Sequence, residues 1–433
     1  MKPNILFIIT HDLGQHLGIY GDKSVSTPNL DSLAKEGVYF TNYFATAPQC
    51  SPSRASIDTG RYPHTNGLMG LANSYLRWRL SQSEKTTAKL LKEAGYFTCL
   101  FGFQHETQDP STLGFDEIIQ AEGNSFERYL CSRVAPLVIN FLKKYSKNKP
   151  FYANVGFFEV HRPYPREIYE PDDPNEVFVP PYLPDTPEVR QDIAEFHGSI
   201  RVMDQAVGSI LDALNKAGLE ENTIVIFTTD HGIAFPRAKC TLYDPGIKTA
   251  LIIRWPAGKI VGGKVYSQLL SNVDLLPTIL DIIESPIPES IQGRSFLSLL
   301  ENKPFEPRTE IFAEKTWHEV YDPMRCIRTN RYKYIRNFIE GPLFQLPGDI
   351  EISLTRKALK DTHLKPRPME ELYDLEKDPN EENNLVGKPE YSEIQTELSN
   401  RLLEWMKKTK DPVVEGKVPI PDGWGKVRYA RWE

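Results

Sequence analysis

The fold is decided by the stretch Asn4-Ile5-Leu6-Phe7-Ile8-Ile9-Thr10, which is followed directly by His11 and Asp12. The run carries no charge and has the length of a strand. Apolar side chains on both faces predict a strand covered on both sides, as in a parallel sheet. The polar pair at its carboxyl end marks the point where this strand meets solvent or a ligand.

Three further apolar runs end in the same way, in a side chain that can do chemistry. They are Tyr96–Phe101 before His105, Phe151–Phe158 before His161, and Thr223–Thr229 before Asp230. Ligands of open α/β sheets bind beyond the carboxyl ends of the strands. We therefore expect Asp12, His105, His161 and Asp230 to meet at one sheet edge.

Helical patterns separate the apolar runs. The predicted helices are Pro28–Gly37, Ser83–Ala94, Glu188–Ala217 and Val273–Ile283, with a further strand at Ala250–Arg254 and a long Pro-rich loop at Arg162–Pro187. Strands that alternate with helices predict an α/β fold with a large, mostly parallel sheet flanked by helices.

After about Pro304 the pattern changes to short strands that lie close together in sequence. These are Glu310–Glu314, Met324–Arg328, Tyr332–Asn337 and Leu372–Leu375, followed by a helix at Glu390–Lys407. The pattern predicts a smaller α+β domain with an antiparallel sheet. We place the catalytic α/β domain at residues 1–305 and this subdomain at residues 306–433.

Composition excludes several classes of partner. The chain has 433 residues and a net charge of −7, so general attraction to nucleic acid or to an anionic membrane is not expected. No apolar run approaches the ~20 residues of a membrane span. The N-terminus is interpreted as a strand and not as a signal peptide. Five scattered cysteines predict no disulfide framework, and we expect a reducing, cytoplasmic setting.

The segment Ala47–Arg61 (APQCSPSRASIDTGR) predicts a helix start at Cys50. Pro52 suits the first helical turn, with Ser51 or Cys50 as the cap. Free backbone N–H groups and Arg54 would then surround the Cys50 side chain and favour an anion. The residues alone leave two interpretations open: a buried structural cysteine, or a nucleophile.

The run C-S-P-S-R followed by T-G-R resembles the signature of type I, formylglycine-dependent sulfatases. The resemblance extends over Pro181–Val207, Asn222–Pro236 and Glu371–Leu385, and is greatest to the sulfamidase branch. It implies an alkaline phosphatase-like fold, and oxidation of Cys50 to formylglycine by a formylglycine-generating (sulfatase-maturing) enzyme. The hydrate of formylglycine would attack sulfur. Asp58 departs from the pattern, which usually has an apolar residue there.

In that family, carboxylates after two strands bind Ca²⁺ together with the formylglycine. The matching positions here are His11, Asp12, Cys50, Asp230 and His231, so imidazole replaces part of the oxygen set. We expect Ca²⁺, with Mn²⁺ or Mg²⁺ as alternatives, because nitrogen ligands move a site away from pure Ca²⁺ chemistry.

The resemblance also implies the groups that act on sulfate. Lys239 matches a lysine that contacts sulfate and the leaving oxygen, and Arg54 is expected to hold the formylglycine hydrate together with the metal. His105 is expected to accept the proton of the second hydroxyl, and His161, with Lys239, is the expected general acid. A family lysine is replaced by Phe103, and a family histidine by Phe158. These losses keep two alternatives open: a phosphonate or phosphate ester hydrolase of the same superfamily, and a non-catalytic binder of sulfated glycans.

His318 and Glu319 match the sulfamidase branch in the C-terminal part. They are expected either to contact sugar hydroxyls or to be ordinary surface groups. The substrate implied is a sulfated sugar or glycan, attacked at an O- or N-sulfate.

Overall fold

The computed structural model describes residues 2–72, 77–123, 126–146 and 148–421. Its strands, in chain order, are β1 Asn4–Thr10, β2 Val38–Phe40, β3 Tyr43–Phe44, β4 Phe97–Gly102, β5 Glu117–Ile119, β6 Phe151–Gly156, β7 Thr223–Thr229, β8 Leu251–Arg254, β9 Lys264–Tyr266, β10 Leu270–Ser271, β11 Glu310–Trp317, β12 Tyr321–Thr329, β13 Tyr332–Asn337 and β14 Glu370–Asp374.

The α-helices are α1 Pro28–Glu36, α2 Cys50–Thr59, α3 Pro63–Asn66, α4 Thr87–Glu93, α5 Cys131–Lys144, α6 Pro187–Lys216, α7 Asp244–Ile247, α8 Leu275–Ile282, α9 Leu297–Leu300, α10 Gly348–Glu351, α11 Leu354–Ala358 and α12 Ser392–Lys408.

The main sheet is mixed and mostly parallel, as predicted. Within the described residues it has eight strands in the order β5-β4-β6-β1-β7-β8-β2-β9, and β8 runs antiparallel to both neighbours. Strand β1 is central, between β6 and β7. Its side chains alternate between two cores. Leu6 and Ile8 face α5 and α6, while Ile5, Phe7 and Ile9 face α8.

A separate antiparallel sheet, β11-β12-β13-β14, forms the C-terminal part of the described chain. Helix α12 covers it with Leu398, Leu402, Trp405 and Met406. The sheet also anchors the loop before α7, because Lys315 Nζ donates to Cys240 O and Lys333 Nζ donates to Leu242 O, each over 3.1 Å. The C-terminal sheet therefore holds the loop that carries Lys239. The boundary at residues 305 and 306 stays a prediction.

Several predicted bounds are wrong in detail. The predicted helix Ser83–Ala94 begins only at Thr87, because Thr86 is its cap and accepts from the N–H of Lys89. The predicted strand Phe151–Phe158 ends at Gly156. The helix Cys131–Lys144 is additional to the predicted elements and contains Pro136. Across the described ranges, no helix is both long enough and apolar enough to span a bilayer.

Candidate active site

The carboxyl ends of four parallel strands lie side by side. Ile9 of β1 pairs with Gly156 of β6, which pairs with Gly102 of β4, and Thr10 pairs with Thr229 of β7. The predicted meeting of the residues that follow these strands is therefore built into the register of the sheet.

Helix α2 delivers residue 50 to this edge. It is buried along its whole length, and Pro52 lies in its first turn. The cap is Gln49, not Cys50 or Ser51 as predicted. Gln49 is held from the C-terminal part, since its amide donates to Trp317 O over 2.5 Å. Cys50 therefore occupies the first helical position instead of the cap.

Five side chains converge beside the start of α2: His11, Asp12, Cys50, Asp230 and His231. One ligand atom from each lies within 4.8 Å of the others, and all five residues are buried. This is the set that the sequence predicted as metal ligands.

One short contact in this cluster joins His231 to Asp12. His231 Nε2 lies 2.9 Å from Asp12 Oδ1, and neither atom has a hydrogen-bond partner within the described ranges. The other ring nitrogen of His231, Nδ1, is 2.9 Å from Gly232 O. A carbonyl only accepts, so Nδ1 carries a proton, and in the neutral ring Nε2 presents the lone pair. Two buried lone pairs at this distance fit a cation between them.

His11 offers a second imidazole to the same place. Its Nδ1 lies 3.0 Å from Asp230 Oδ2, and both of its ring nitrogens are buried without a hydrogen-bond partner in the described part of the chain. Two unsatisfied imidazoles beside two carboxylates make a donor set that fits a divalent ion.

Arg54 holds the cluster through hydrogen bonds to Asp230 and to the end of β1. Its Nε donates to Asp230 Oδ2 over 2.9 Å and its Nη2 donates to Thr10 O over 3.2 Å. The side chain is 1% exposed. The permanent charge of the Arg54 guanidinium favours the ionised form of Asp230. Asp230 is therefore a carboxylate.

The Cys50 side chain is also buried. Burial raises the pKa of its thiol well above the usual value; Lys239 and Arg54 oppose this shift, while Asp12 and Asp230 reinforce it. An unmodified Cys50 is therefore a protonated thiol and a weak nucleophile.

Lys239 bridges two carboxylates across the opening of the site. Its Nζ donates to Asp12 Oδ2 and to Asp349 Oδ2, each over 2.8 Å. Burial lowers the pKa of Lys239, but Asp12 and Asp349 outweigh burial and raise it well above its usual value. The ammonium is only 2% exposed and keeps its charge.

His161 stands beside Lys239 at the same opening. Its Nδ1 is 2.5 Å from Arg162 O, so Nδ1 is the protonated nitrogen, and its Nε2 lies 3.3 Å from Lys239 Nζ. Burial, followed by Lys239, lowers the pKa of His161 to about 4. At neutral pH the ring is neutral and accepts a hydrogen bond from the Lys239 ammonium.

Three departures from the sulfatase pattern touch one another. The ring centroid of His11 lies 4.7 Å from that of Phe103 and 6.2 Å from that of Phe158, and the two phenyl rings are 6.0 Å apart. Arg54 lies over Phe103, with its Cζ 5.2 Å from the ring centroid. His11, Phe103 and Phe158 therefore form one packed aromatic wall.

His105 lies behind this wall, with its ring centroid 5.4 Å from that of Phe103. Burial lowers the pKa of His105 well below its usual value, with His11, Arg54 and His161 adding to the effect. Its backbone N–H donates to the Glu106 carboxylate over 2.6 Å.

The two sugar-binding predictions from the C-terminal part have different surroundings. His318 is buried, and burial with Lys239 and Lys315 lowers its pKa to about 3. The Glu319 carboxylate accepts from the backbone N–H of Gly348 over 3.0 Å. Glu319 therefore positions the residue next to Asp349. Asp349 itself was missed, because it follows a Pro-rich stretch and belongs to no motif quoted above.

Two family models match this chain. The family model described as "Sulfatase" matches residues 3–285, and the model "N-sulphoglucosamine sulphohydrolase, C-terminal" matches residues 232–349. The chain belongs to the sulfatase family. This sulfatase is 31% identical to human N-sulphoglucosamine sulphohydrolase, over 97% of this chain and 92% of that protein.

Solved structures support the same fold. A protein in complex with its substrate D-glucosamine-2-N,6-O-disulfate has a TM-score of 0.75 and 24% identity, and covers 96% of the sulfatase and 100% of that chain. A phosphonate monoester hydrolase from Silicibacter pomeroyi has a TM-score of 0.70 and 21% identity, over 94% and 96% of the two chains. A divalent metal and a formylglycine residue are typical of the family.

Proposed function

We propose that this sulfatase hydrolyses the sulfate group of a sulfated sugar, with residue 50 matured to formylglycine. The observation that carries the proposal is the convergence of five buried ligand side chains with Arg54 and Lys239 around residue 50. A hydrated formylglycine supplies an oxygen nucleophile, and a divalent ion supplies positive charge for the sulfuryl oxygens. Human N-sulphoglucosamine sulphohydrolase supports a sugar sulfate as the substrate class.

We assign His11, Asp12, Asp230, His231 and residue 50 to the metal. Ca²⁺ prefers oxygen ligands throughout, whereas imidazole ligands suit transition metals. Since two of the five side chains are imidazoles, we propose Mn²⁺ ahead of Ca²⁺. The orphaned Nε2 of His231 and Nδ1 of His11 support this assignment.

The roles of the remaining residues follow from their hydrogen bonds. Arg54 holds Asp230 in place and adds positive charge beneath residue 50. Lys239 carries a proton at Nζ, in contact with the neutral Nε2 of His161. We assign these two groups to protonation of the leaving atom, with Lys239 as the proton source and His161 as the relay. His105 is assigned to take up a proton at Nδ1, which is buried without a hydrogen-bond partner in the described ranges.

A phosphonate or phosphate ester hydrolase is the second candidate. Phe103 removes one cation that sulfatases use on the anion, and the fold is shared with a phosphonate monoester hydrolase. The non-catalytic alternative is less well supported, because the positions that depart from the family pattern pack as one wall while Arg54, Lys239 and the ligand cluster are retained.

The test is turnover by protein co-expressed with a formylglycine-generating enzyme and loaded with Mn²⁺ or Ca²⁺. We expect release of inorganic sulfate from glucosamine N-sulfate or glucosamine 6-O-sulfate, and slower turnover of a phosphate diester. Faster turnover of the diester would favour the second candidate. Binding without any turnover, in protein whose residue 50 is confirmed as formylglycine, would favour the non-catalytic one.

A further inference from the structure

Asp349 places a carboxylate where the leaving group of the proposed reaction must depart. Its Oδ2 accepts from Lys239 Nζ over 2.8 Å and lies 3.8 Å from His161 Nε2. These are the two groups assigned to protonation of the leaving atom. The Asp349 side chain is 18% exposed, so it faces the opening and not the interior.

Hydrogen bonds on both sides of Asp349 in the chain fix its position. The preceding residue, Gly348, is held by the Glu319 carboxylate. The following helix, α11, is fixed to α6, because the N–H of Thr355 donates to Asp192 over 3.1 Å and its hydroxyl over 2.6 Å. Asp192 in turn binds both terminal nitrogens of Arg162, the neighbour of His161. Asp349 is therefore held in register with His161 by a chain of buried hydrogen bonds.

At the opening, Asp349 adds a carboxylate to the Lys239 and His161 pair. Asp12 and Asp349 share the single Lys239 ammonium, and His161 is neutral when its Nε2 accepts from that ammonium. Burial raises the pKa of Asp349, but its ion pair with the Lys239 ammonium lowers it below its usual value, so the carboxylate is ionised.

A negative charge at this point has different effects on the cleavage of a sulfate ester and of an N-sulfate. When a sulfate ester is cleaved, the S–O bond breaks and its electron pair leaves negative charge on the sugar oxygen until a proton arrives. When an N-sulfate is cleaved, the S–N bond breaks with its electron pair on nitrogen. The nitrogen gains protons and leaves as an ammonium ion, and water supplies the fourth oxygen of the sulfate. In both cases the leaving atom takes the electron pair, but only the nitrogen becomes a cation when protons arrive, whereas the protonated sugar oxygen is neutral. A carboxylate attracts that cation and gains nothing from the neutral hydroxyl.

We propose that Asp349 is a specificity-determining residue that selects a leaving nitrogen over a leaving oxygen by binding the departing ammonium group. The inference rests on the proposed sulfatase activity and extends it from sulfated sugars in general to N-sulfated amino sugars. Asp349 acts on the substrate, whereas Glu319 and Thr355 are positioning residues for it.

The experiment compares wild type, Asp349→Asn and Glu351→Gln. Asparagine keeps the shape and an acceptor for Lys239 but removes the charge. Glu351 lies on the same helix α10, pairs with Arg356, and serves as the matched control. Each protein is checked for folding by thermal unfolding and for formylglycine by mass, then assayed with glucosamine N-sulfate and glucosamine 6-O-sulfate.

We expect Asp349→Asn to lose about ten-fold or more in kcat/KM on the N-sulfate, and to keep or gain activity on the 6-O-sulfate, because a charge-assisted hydrogen bond is lost. Equal losses on both substrates would overturn the inference, since Asp349 would then act only by placing Lys239. Failure of wild type to release sulfate from either sugar would instead contradict the proposed function, and the inference with it.

A binding measurement provides a second readout that does not depend on the chemical step. Glucosamine, the ammonium product, should inhibit wild type and Glu351→Gln about ten-fold more strongly than Asp349→Asn. N-Acetylglucosamine, which lacks the ammonium charge, should inhibit all three proteins alike. Equal inhibition of the three proteins by glucosamine would overturn the inference.

Discussion

His231 Nε2 and Asp12 Oδ1 face each other across 2.9 Å, and the described residues offer neither atom a hydrogen-bond partner. The hydrogen bond of His231 Nδ1 to Gly232 O leaves Nε2 with a lone pair. We propose that the cation binds at this contact within the cluster. The contact also explains why the metal is expected to be one that accepts nitrogen ligands.

Metal binding should therefore favour Mn²⁺ over Ca²⁺. We expect Mn²⁺ to raise the melting temperature of metal-free protein more than Ca²⁺ does at equal concentration, and elemental analysis to find Mn²⁺ retained after dialysis. A ligand present at about 100 times its Kd stabilises by about 2.7 kcal/mol. His231→Asn should remove most of the Mn²⁺ effect. His363→Asn, which alters a buried histidine outside the cluster, should retain the effect. A larger shift with Ca²⁺ would contradict the assignment.

Removal of the bridging ammonium should disable the enzyme without removing the metal. We expect Lys239→Met to lower kcat by about 10²–10³, the usual loss for one charged donor at a reacting group. Lys248→Met, on the segment that follows α7, is the control and should keep normal turnover. Full activity of Lys239→Met, measured with saturating substrate, would exclude Lys239 from the reaction.

The aromatic wall predicts coupling between positions 11 and 103. His11→Asp and Phe103→Lys restore the residues that sulfatases usually carry, but each alone puts a charge against the other, unaltered ring. We expect each single variant to be destabilised. The double variant should lose less unfolding free energy than the sum of the two single losses, with a coupling energy of about 0.5–3 kcal/mol. Urea unfolding of the four proteins measures this quantity. Simple additivity would mean that the replacements are independent.

Asp58 should make stability depend on pH. Burial, reinforced by Glu106, raises its pKa to about 7. The folded protein therefore binds a proton that the unfolded chain releases near its ordinary pKa of about 4. This contribution to stability is full below pH ~4 and is lost as pH rises through about 7.

Asp58→Asn mimics the protonated acid and keeps an acceptor for the N–H of Thr87, which donates to Asp58 Oδ1 over 3.1 Å. We expect the variant to be more stable than wild type at pH 8 and little changed at pH 4. Urea unfolding across this range tests it, with the exposed Asp212→Asn as control. An unchanged difference between pH 4 and pH 8 would show that Asp58 does not titrate as described.

Patterns within the chain predicted most of the main sheet. Apolar runs of strand length found β1, β4, β6 and β7, because strands buried on both faces need uninterrupted apolar residues. The same patterns predicted mostly parallel strands but did not show which strand departs from that direction. Strand β8 was found, but its antiparallel position beside β7 depends on the path of the chain and not on its composition. Short strands such as β2 and β5 are too brief for periodicity to detect.

The site residues that lie in sequence motifs were predicted, whereas those placed by long-range packing were not. Sheet register brings the residues at the strand ends together, and helix α2 carries the C-S-P-S-R segment to them. Asp349 and the holding role of Glu319 depend on packing between the C-terminal part and helix α6. Such contacts join positions far apart in the chain, and no spacing rule connects them.

The most direct test of the account is the mass of the tryptic peptide Glu36–Arg54 from fully active enzyme. If residue 50 is matured to formylglycine, the peptide carries an aldehyde in place of the Cys50 thiol. Activity should then rise in proportion to the modified fraction. Full activity in protein that carries only the unmodified thiol at Cys50 would contradict it.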